Sequence, residues 1–148
     1  MKLIDFLPEH KESFFKMCSD FFSSPAVCHP ISREAMEKTF QTALATSPYM
    51  RGLIITKEKE VIGYLLLSFT YSNEVGGMVV WIEEIFIQEA HRHKGYGKEV
   101  LKWIIDTYKS SVKRFRLEVT DENKAAKKLY EKIGFSDLNY RQMTLEEF

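Results

Sequence analysis

A glycine-containing loop, residues 91–98, carries the residue types that a phosphate-binding site requires. Arg92, Gly95 and Gly97 follow an apolar stretch and lead into a predicted helix. The first turn of a helix has unpaired N–H groups and a partial positive charge. Glycines let a phosphate approach that backbone closely, and an arginine can bind two phosphate oxygens. The loop therefore predicts a binding site for a pyrophosphate.

Two common nucleotide-binding patterns do not fit this loop. A P-loop has four residues between its first glycine and Gly-Lys-Ser/Thr, and no such spacing is present. The dinucleotide-binding pattern requires a third glycine at position 100, where the chain has Val100. By itself, the loop also fits a basic surface turn that contains two glycines, so the surrounding elements decide its interpretation.

The elements that position the loop follow from the spacing of apolar residues. Recurrence at three and four residues predicts helices at 9–22, 32–44, 95–108 and 123–133. Alternating or continuous apolar runs predict strands at 2–7, 52–57, 61–71, 78–87 and 112–119, and the chain from 135 through 140–145 is predicted to be extended. Short polar turns join the three middle strands into an antiparallel meander. The order β-α-α-β-β-β-α-β-α-β predicts an α/β (α+β) fold with helices flanking a largely antiparallel sheet.

Length and charge limit the classes of function. A chain of 148 residues suffices for one packed core, so we expect a single domain over 1–148. Lys plus Arg and Asp plus Glu each number 21, so the formal net charge is zero. A nucleic-acid-binding protein normally carries a basic surplus, and nucleic acid is therefore not an expected partner. The basic residues Lys109, Lys113, Arg114 and Arg116 are interpreted as a solvated face.

Segment hydropathy and cysteine usage indicate a cytoplasmic protein. No apolar run of 18 residues is present, so no membrane partner is expected. The first eight residues lack the pattern of a secretory signal. Cys18 and Cys28 fit neither a disulfide framework nor a metal site, and His91 and His93 have no third ligand at a suitable spacing, so we expect no metal.

Two linked motifs carry a family resemblance. Residues 82–87 with Arg92-x-x-Gly95-x-Gly97 resemble the acetyl-CoA signature of the GNAT superfamily of N-acetyltransferases. Residues 123–135 resemble that superfamily's N-x-x-A-x-x-L-Y-x-x-x-G-F segment. The strong resemblance covers about 78–135, and the N-terminal half matches only in the order of its elements. Within the superfamily, residues 82–97 look most like the diamine and polyamine acetyltransferases.

The resemblance implies where acetyl-CoA lies. Its pyrophosphate is expected over the glycine loop and its pantetheine arm beside the third strand of the meander, where that strand diverges from the next. The residues expected to contact it are Ile85, Phe86, Ile87, Arg92, His93, Lys94, Gly95, Tyr96, Gly97, Lys98 and Asn123. The expected reaction is direct transfer of the acetyl group to the primary amine of a small, polyamine-like molecule.

This reaction assigns three roles. An alkylammonium must lose a proton before it attacks, and a carboxylate can accept that proton. Glu83 is our first choice because it stands nine residues before Arg92, as the proposed base does in the polyamine branch, and Glu84 is the second. Because neighbouring strand residues point to opposite faces, we expect only one of the two to face the site. A backbone N–H of residues 85–87 is expected to stabilise the oxyanion, and Tyr130 matches the family's general acid.

Other functions remain open from the sequence. A protein N-terminus or a lysine side chain could be the acceptor, and nothing in the sequence separates these from a small amine. A non-catalytic acyl-CoA-binding module is an alternative of another class, although the presence of Glu83, Glu84 and Tyr130 counts against it. The resemblance also suggests a homodimer formed through residues 140–145.

Overall fold

The computed structural model describes residues 1–146, which form a five-stranded sheet in the order β1-β2-β3-β4-β5. Strands β1 to β4 pair with their neighbours antiparallel, and β5 runs parallel to β4. This confirms the predicted mixed fold and its antiparallel meander. The strands are β1 (Lys2–Asp5), β2 (Met50–Lys57), β3 (Glu60–Ser72), β4 (Gly77–Ile87) and β5 (Arg114–Leu117).

Helices begin and end close to the predicted residues. Ser32 caps the second helix through a hydrogen bond from the Ala35 N–H to its hydroxyl oxygen, at 3.1 Å. Gly134 ends the last helix with a φ of 114°, a conformation that favours glycine. No helix in the described part of the chain is long and apolar enough to cross a membrane. The helices are α1 (Lys11–Phe22), α2 (Arg33–Leu44), α3 (Tyr96–Tyr108) and α4 (Lys124–Ile133).

The helices cover both faces of the sheet and create two cores. One face, here the α1–α2 face, packs Ile54, Tyr64, Leu66 and Phe86 against the first two helices. The opposite face, here the α3–α4 face, packs the remaining apolar strand residues against α3 and α4. Residues 62–67 of β3 are buried on both faces, which explains their almost continuous apolar sequence.

The predicted final strand is absent from the described residues. Residues 135–146 form no strand, and β5 is shorter than its predicted range of 112–119. A segment becomes a strand only where a neighbouring backbone pairs with it in register, and 135–146 passes β5 without such pairing. Its apolar side chains therefore remain exposed, Met143 at 92% and Leu145 at 80%. The last element of the predicted order was wrong for this reason.

Candidate active site

A β-bulge at Glu83 changes the direction of the side chains in β4. Leu66 of β3 lies opposite Glu84, whereas the next residue, Leu67, lies opposite Ile82. Glu83 therefore has no partner residue on β3. An inserted residue interrupts the alternation of side chains along the strand. The expectation that Glu83 and Glu84 point to opposite faces was wrong for this reason.

Two hydroxyl groups of β3 show that both carboxylates lie on the α1–α2 face. The Tyr64 hydroxyl donates a hydrogen bond to Oε2 of Glu84, at 2.5 Å. The Ser68 hydroxyl donates to Oε1 of Glu83. Residues four positions apart on a strand point to the same face, and Tyr64 belongs to the core of the α1–α2 face. The bulge thus creates a pair of carboxylates on one surface.

The two carboxylates have different environments. Glu83 is exposed, whereas Glu84 is largely buried beside the aromatic core. Burial raises the pKa of Glu84 to about 7, the hydrogen bond from Tyr64 lowers it, and the charge of Glu83 raises it. Glu84 can therefore change its protonation state near neutral pH.

The end of β4 has an open backbone edge. Pairing between β4 and β5 runs from Val79 opposite Arg114 to Ile82 opposite Leu117. Residues 83–87 pair with β3 or lie in the bulge, and β5 contributes no partner to them. Pairing with β5 ends at Ile82, so the backbone N–H and C=O groups that alternate residues among 85–87 direct away from β3 have no partner on β5.

The glycine loop is anchored to this end of β4. The Arg92 Nε donates to the Ile87 carbonyl at 2.9 Å, and its guanidinium lies 5.5 Å from the centroid of the Phe86 ring. The Lys94 Nζ donates to the Ala90 carbonyl at 2.7 Å. Both side chains therefore fix the backbone of the loop, in addition to placing positive charge beside it.

The N-terminus of α3 has the geometry expected for an anion site. Gly95 occupies the N-cap with a φ of 88°, and His93 also has a positive φ, of 58°. Because Gly95 supplies no capping side chain, the first-turn N–H groups of α3 have no side-chain acceptor there. A Cβ at Gly95 would meet no atom within 4 Å, whereas a Cβ at Gly97 would lie 3.2 Å from Leu129 Cδ2. These residues fit a pyrophosphate group.

Comparison with known proteins identifies the family. The model of the Acetyltransferase (GNAT) family matches residues 12–135. This chain belongs to the GNAT family.

The relatives whose names state an activity align with this chain over only part of their own length. Thialysine N-epsilon-acetyltransferase from Mus musculus is 35% identical over 79 residues, which are 53% of this chain and 46% of the relative. The chain thus spans about half of that relative. Spermine/spermidine N(1)-acetyltransferase from Bacillus subtilis is 27% identical over 110 residues, 67% of this chain and 71% of the relative. A possible acetyltransferase from Clostridium difficile has the same fold, with a TM-score of 0.83 at 16% identity over 99% of this chain and 97% of that one.

GNAT acetyltransferases use acetyl-CoA, and most of the residues expected to contact it are contiguous here. The open edge of 85–87 leads directly through the anchored loop to Lys98 at the start of α3. Asn123 has a different position: it is the N-cap of α4, where its Oδ1 accepts from the Ala126 N–H at 3.3 Å. The structure therefore gives Asn123 a helix-capping role, and its expected contact with the pantetheine arm stays a prediction.

Tyr130 lies apart from the two carboxylates. Its partly buried side chain packs against the core of the α3–α4 face, with its ring centroid 6.0 Å from that of Phe135. Burial raises the pKa of Tyr130. Tyr130 also lines a cleft of about 1110 Å³ along β5 and α4. This cleft contains neither the glycine loop nor the carboxylate pair, and the expected position of acetyl-CoA at the end of β4 stays a prediction.

Tyr64 and Ser68 contact the candidate carboxylate pair and were not predicted from the sequence. The signal was present, since they are polar residues four positions apart in an otherwise apolar run. Their partners depend on the register with β4, which the sequence does not reveal. Among residues 1–146, no group of three or more His, Cys, Asp or Glu side chains could hold a metal ion.

Proposed function

We propose that this chain is an N-acetyltransferase that moves an acetyl group from acetyl-CoA to the primary amine of a small cationic molecule. The observation that carries the proposal is the position of the Glu83 and Glu84 pair. The pair lies on the α1–α2 face, in the part of β4 beyond its pairing with β5, and the same strand leads into the loop that carries Gly95 and the start of α3. A cationic acceptor and an anionic donor would meet there.

The carboxylate pair favours an acceptor with a positive charge. Glu83 is exposed on the α1–α2 face, so its carboxylate can bind an incoming ammonium group. The relatives named for thialysine and for spermine and spermidine act on amines that fit this chemistry. We therefore propose a polyamine-like or amino-acid-like amine as the acceptor.

The two proposed proton transfers by side chains occur on opposite faces of the sheet. Acetyl-CoA supplies an acetyl thioester, whose C–S bond breaks as the C–N bond to the amine forms. Glu84, rather than the first-choice Glu83, accepts the proton that the ammonium group loses before it attacks, because its raised pKa suits proton transfer near neutral pH. A backbone N–H of residues 85–87 donates to the carbonyl oxygen as negative charge develops there. Tyr130 gives its phenolic proton to the departing sulfur from the α3–α4 face. The nitrogen loses a second proton to solvent as the amide forms, and solvent returns a proton to Tyr130 after transfer.

We also propose that two copies associate through the C-terminal segment. Leu138, Tyr140, Met143 and Leu145 expose 40% to 92% of their surface. Large apolar side chains that are exposed together in this way are typical of an interface. Size-exclusion chromatography with light scattering should give twice the mass of the monomer. A cytoplasmic location stays a prediction.

A thiol-release assay tests the proposed activity. Acetyl-CoA is incubated with polyamines, thialysine, aminoglycosides and short peptides, for the wild type, for Glu84→Gln and for Glu12→Gln as an exposed carboxylate on α1. We expect release with small cationic amines, a large loss in Glu84→Gln and no loss in Glu12→Gln. Release with peptides alone would indicate a protein acetyltransferase. Acetyl-CoA binding without release would indicate a non-catalytic module, and either result would contradict the proposal.

A further inference from the structure

Tyr64 places a hydroxyl group inside an aromatic core. The residue has no exposed surface; its ring stacks on Phe86 with centroids 5.7 Å apart and meets Phe14 edge-on at 5.2 Å. A buried hydroxyl without a hydrogen-bond partner destabilises the folded state. A phenylalanine would fill the same space at no such cost, so the hydroxyl is explained by its partner, Glu84, rather than by packing.

The hydrogen bond constrains a flexible side chain. Tyr64 donates to Oε2 of Glu84 at 2.5 Å, and its ring is fixed between α1 and the sheet. Oε1 is the oxygen that this bond leaves available. The titratable groups that face Glu84 are Tyr64 from β3, Cys18 from α1 and Glu83 from its own strand. Among these, Tyr64 is the group that favours the ionised carboxylate.

We propose that Tyr64 is a positioning residue for acetyl transfer: its hydroxyl holds Oε2 of Glu84 so that Oε1 is directed to the acceptor amine. This inference rests on the proposed function. The proton moves from the acceptor nitrogen to Oε1, and Tyr64 keeps its own proton throughout. Burial and the neighbouring carboxylate raise the pKa of Tyr64 far above its usual value, which keeps the phenol a donor.

Tyr64→Phe removes the hydroxyl and keeps the ring. Without this hydrogen bond, the pKa of Glu84 should rise above its value of about 7. The acidic limb of the kcat/KM profile should therefore move to higher pH. For a shift of about one unit, kcat/KM falls about tenfold at pH 6 and little at pH 9. Tyr108→Phe is the matched control, because the Tyr108 hydroxyl accepts from Arg51 at 3.0 Å, away from Glu84, and its profile should match the wild type.

Two further readouts separate positioning from stability. In protein labelled with ¹³C at glutamate carboxyls, the Glu84 resonance, assigned by its loss in Glu84→Gln, should titrate at higher pH in Tyr64→Phe. In the Glu84→Gln background, Tyr64→Phe should cause no further loss of kcat, since its effect acts through Glu84.

The outcomes distinguish this inference from the proposed function. Movement of both the acidic limb and the NMR titration supports it. If the wild type is active and a folded Tyr64→Phe variant keeps the acidic limb of its kcat/KM profile at the wild-type pH, the inference is overturned. The proposed function then stays intact. A further loss of kcat in the double variant also overturns it. A wild type that transfers acetyl to no amine defeats the proposed function, and the positioning role with it, whatever the NMR titration shows.

Discussion

Glu83 and Glu84 are neighbours in the sequence, and both carboxylates lie on the same face of the sheet. Regular alternation would have separated them. The bulge brings them together at the point where β4 leaves β5, and the charge of Glu83 contributes to the raised pKa of Glu84. One inserted residue therefore accounts for the shared face of the two carboxylates, whereas burial remains the main cause of the raised pKa of Glu84.

The raised pKa of Glu84 predicts a stability effect that depends on pH. The folded state favours the neutral carboxyl, with a pKa of about 7 against 4.5 in a free side chain. This contribution to stability is fully present below pH 4.5 and is lost as the pH rises through 7. A glutamine side chain stays neutral at every pH, so Glu84→Gln does not lose this contribution. Its free energy of unfolding should therefore exceed that of the wild type by up to about 3 kcal/mol at pH 8.5.

Urea unfolding at pH 5 and pH 8.5 checks this prediction. The difference between Glu84→Gln and the wild type should grow with pH, and the exposed Glu83→Gln should show a much smaller change. Equal differences at both pH values would mean that Glu84 is not desolvated in the folded protein.

Tyr130→Phe should slow transfer without weakening acetyl-CoA binding. The variant keeps the ring against Phe135 and removes only the proposed proton donor. We expect kcat to fall about a hundredfold, within the range for general acid–base groups, with little change in the KM for acetyl-CoA. Steady-state kinetics check this, with Tyr140→Phe in the neighbouring segment as the control. An unchanged kcat from pH 6 to pH 9 would rule out the acid role.

Gly95→Ala should weaken acetyl-CoA binding, and its loss of folding stability should not account for the whole effect. The φ of 88° at Gly95 is strained for alanine, which costs about 1 kcal/mol or more. Gly76→Ala is the matched control, since Gly76 has a φ of 61° and equally open space around it. Calorimetric titration with acetyl-CoA should show reduced affinity for Gly95→Ala alone. Equal affinities in the two variants would place the pyrophosphate elsewhere.

The order of the elements was predictable from the sequence because each has a clear period. Apolar spacing located α1 to α4 and the meander, and Ser32 and Gly134 marked helix ends through ordinary capping chemistry. The glycine loop was predictable for the same reason, since Gly95 directly precedes a strongly periodic helix.

The parts that the sequence did not predict depend on pairing between strands. A bulge at Glu83 alters the register with Leu66 and leaves no mark in residue type. The partnership of Tyr64 with Glu84 follows from that register, so it was equally hidden. The prediction of a final strand was wrong because the apolar residues within 140–145 favour an extended chain, whereas a strand also requires a neighbouring strand to pair with.

The most direct test of the account compares Glu83→Gln with Glu84→Gln in rapid-quench acetyl transfer to a polyamine. At saturating acetyl-CoA, Glu84→Gln should slow the transfer step by about a hundredfold or more and abolish the acidic limb near pH 7. Glu83→Gln should mainly raise the KM for the amine and keep that limb. The reverse result, with Glu83→Gln abolishing the limb and Glu84→Gln transferring acetyl at the wild-type rate, would contradict the account.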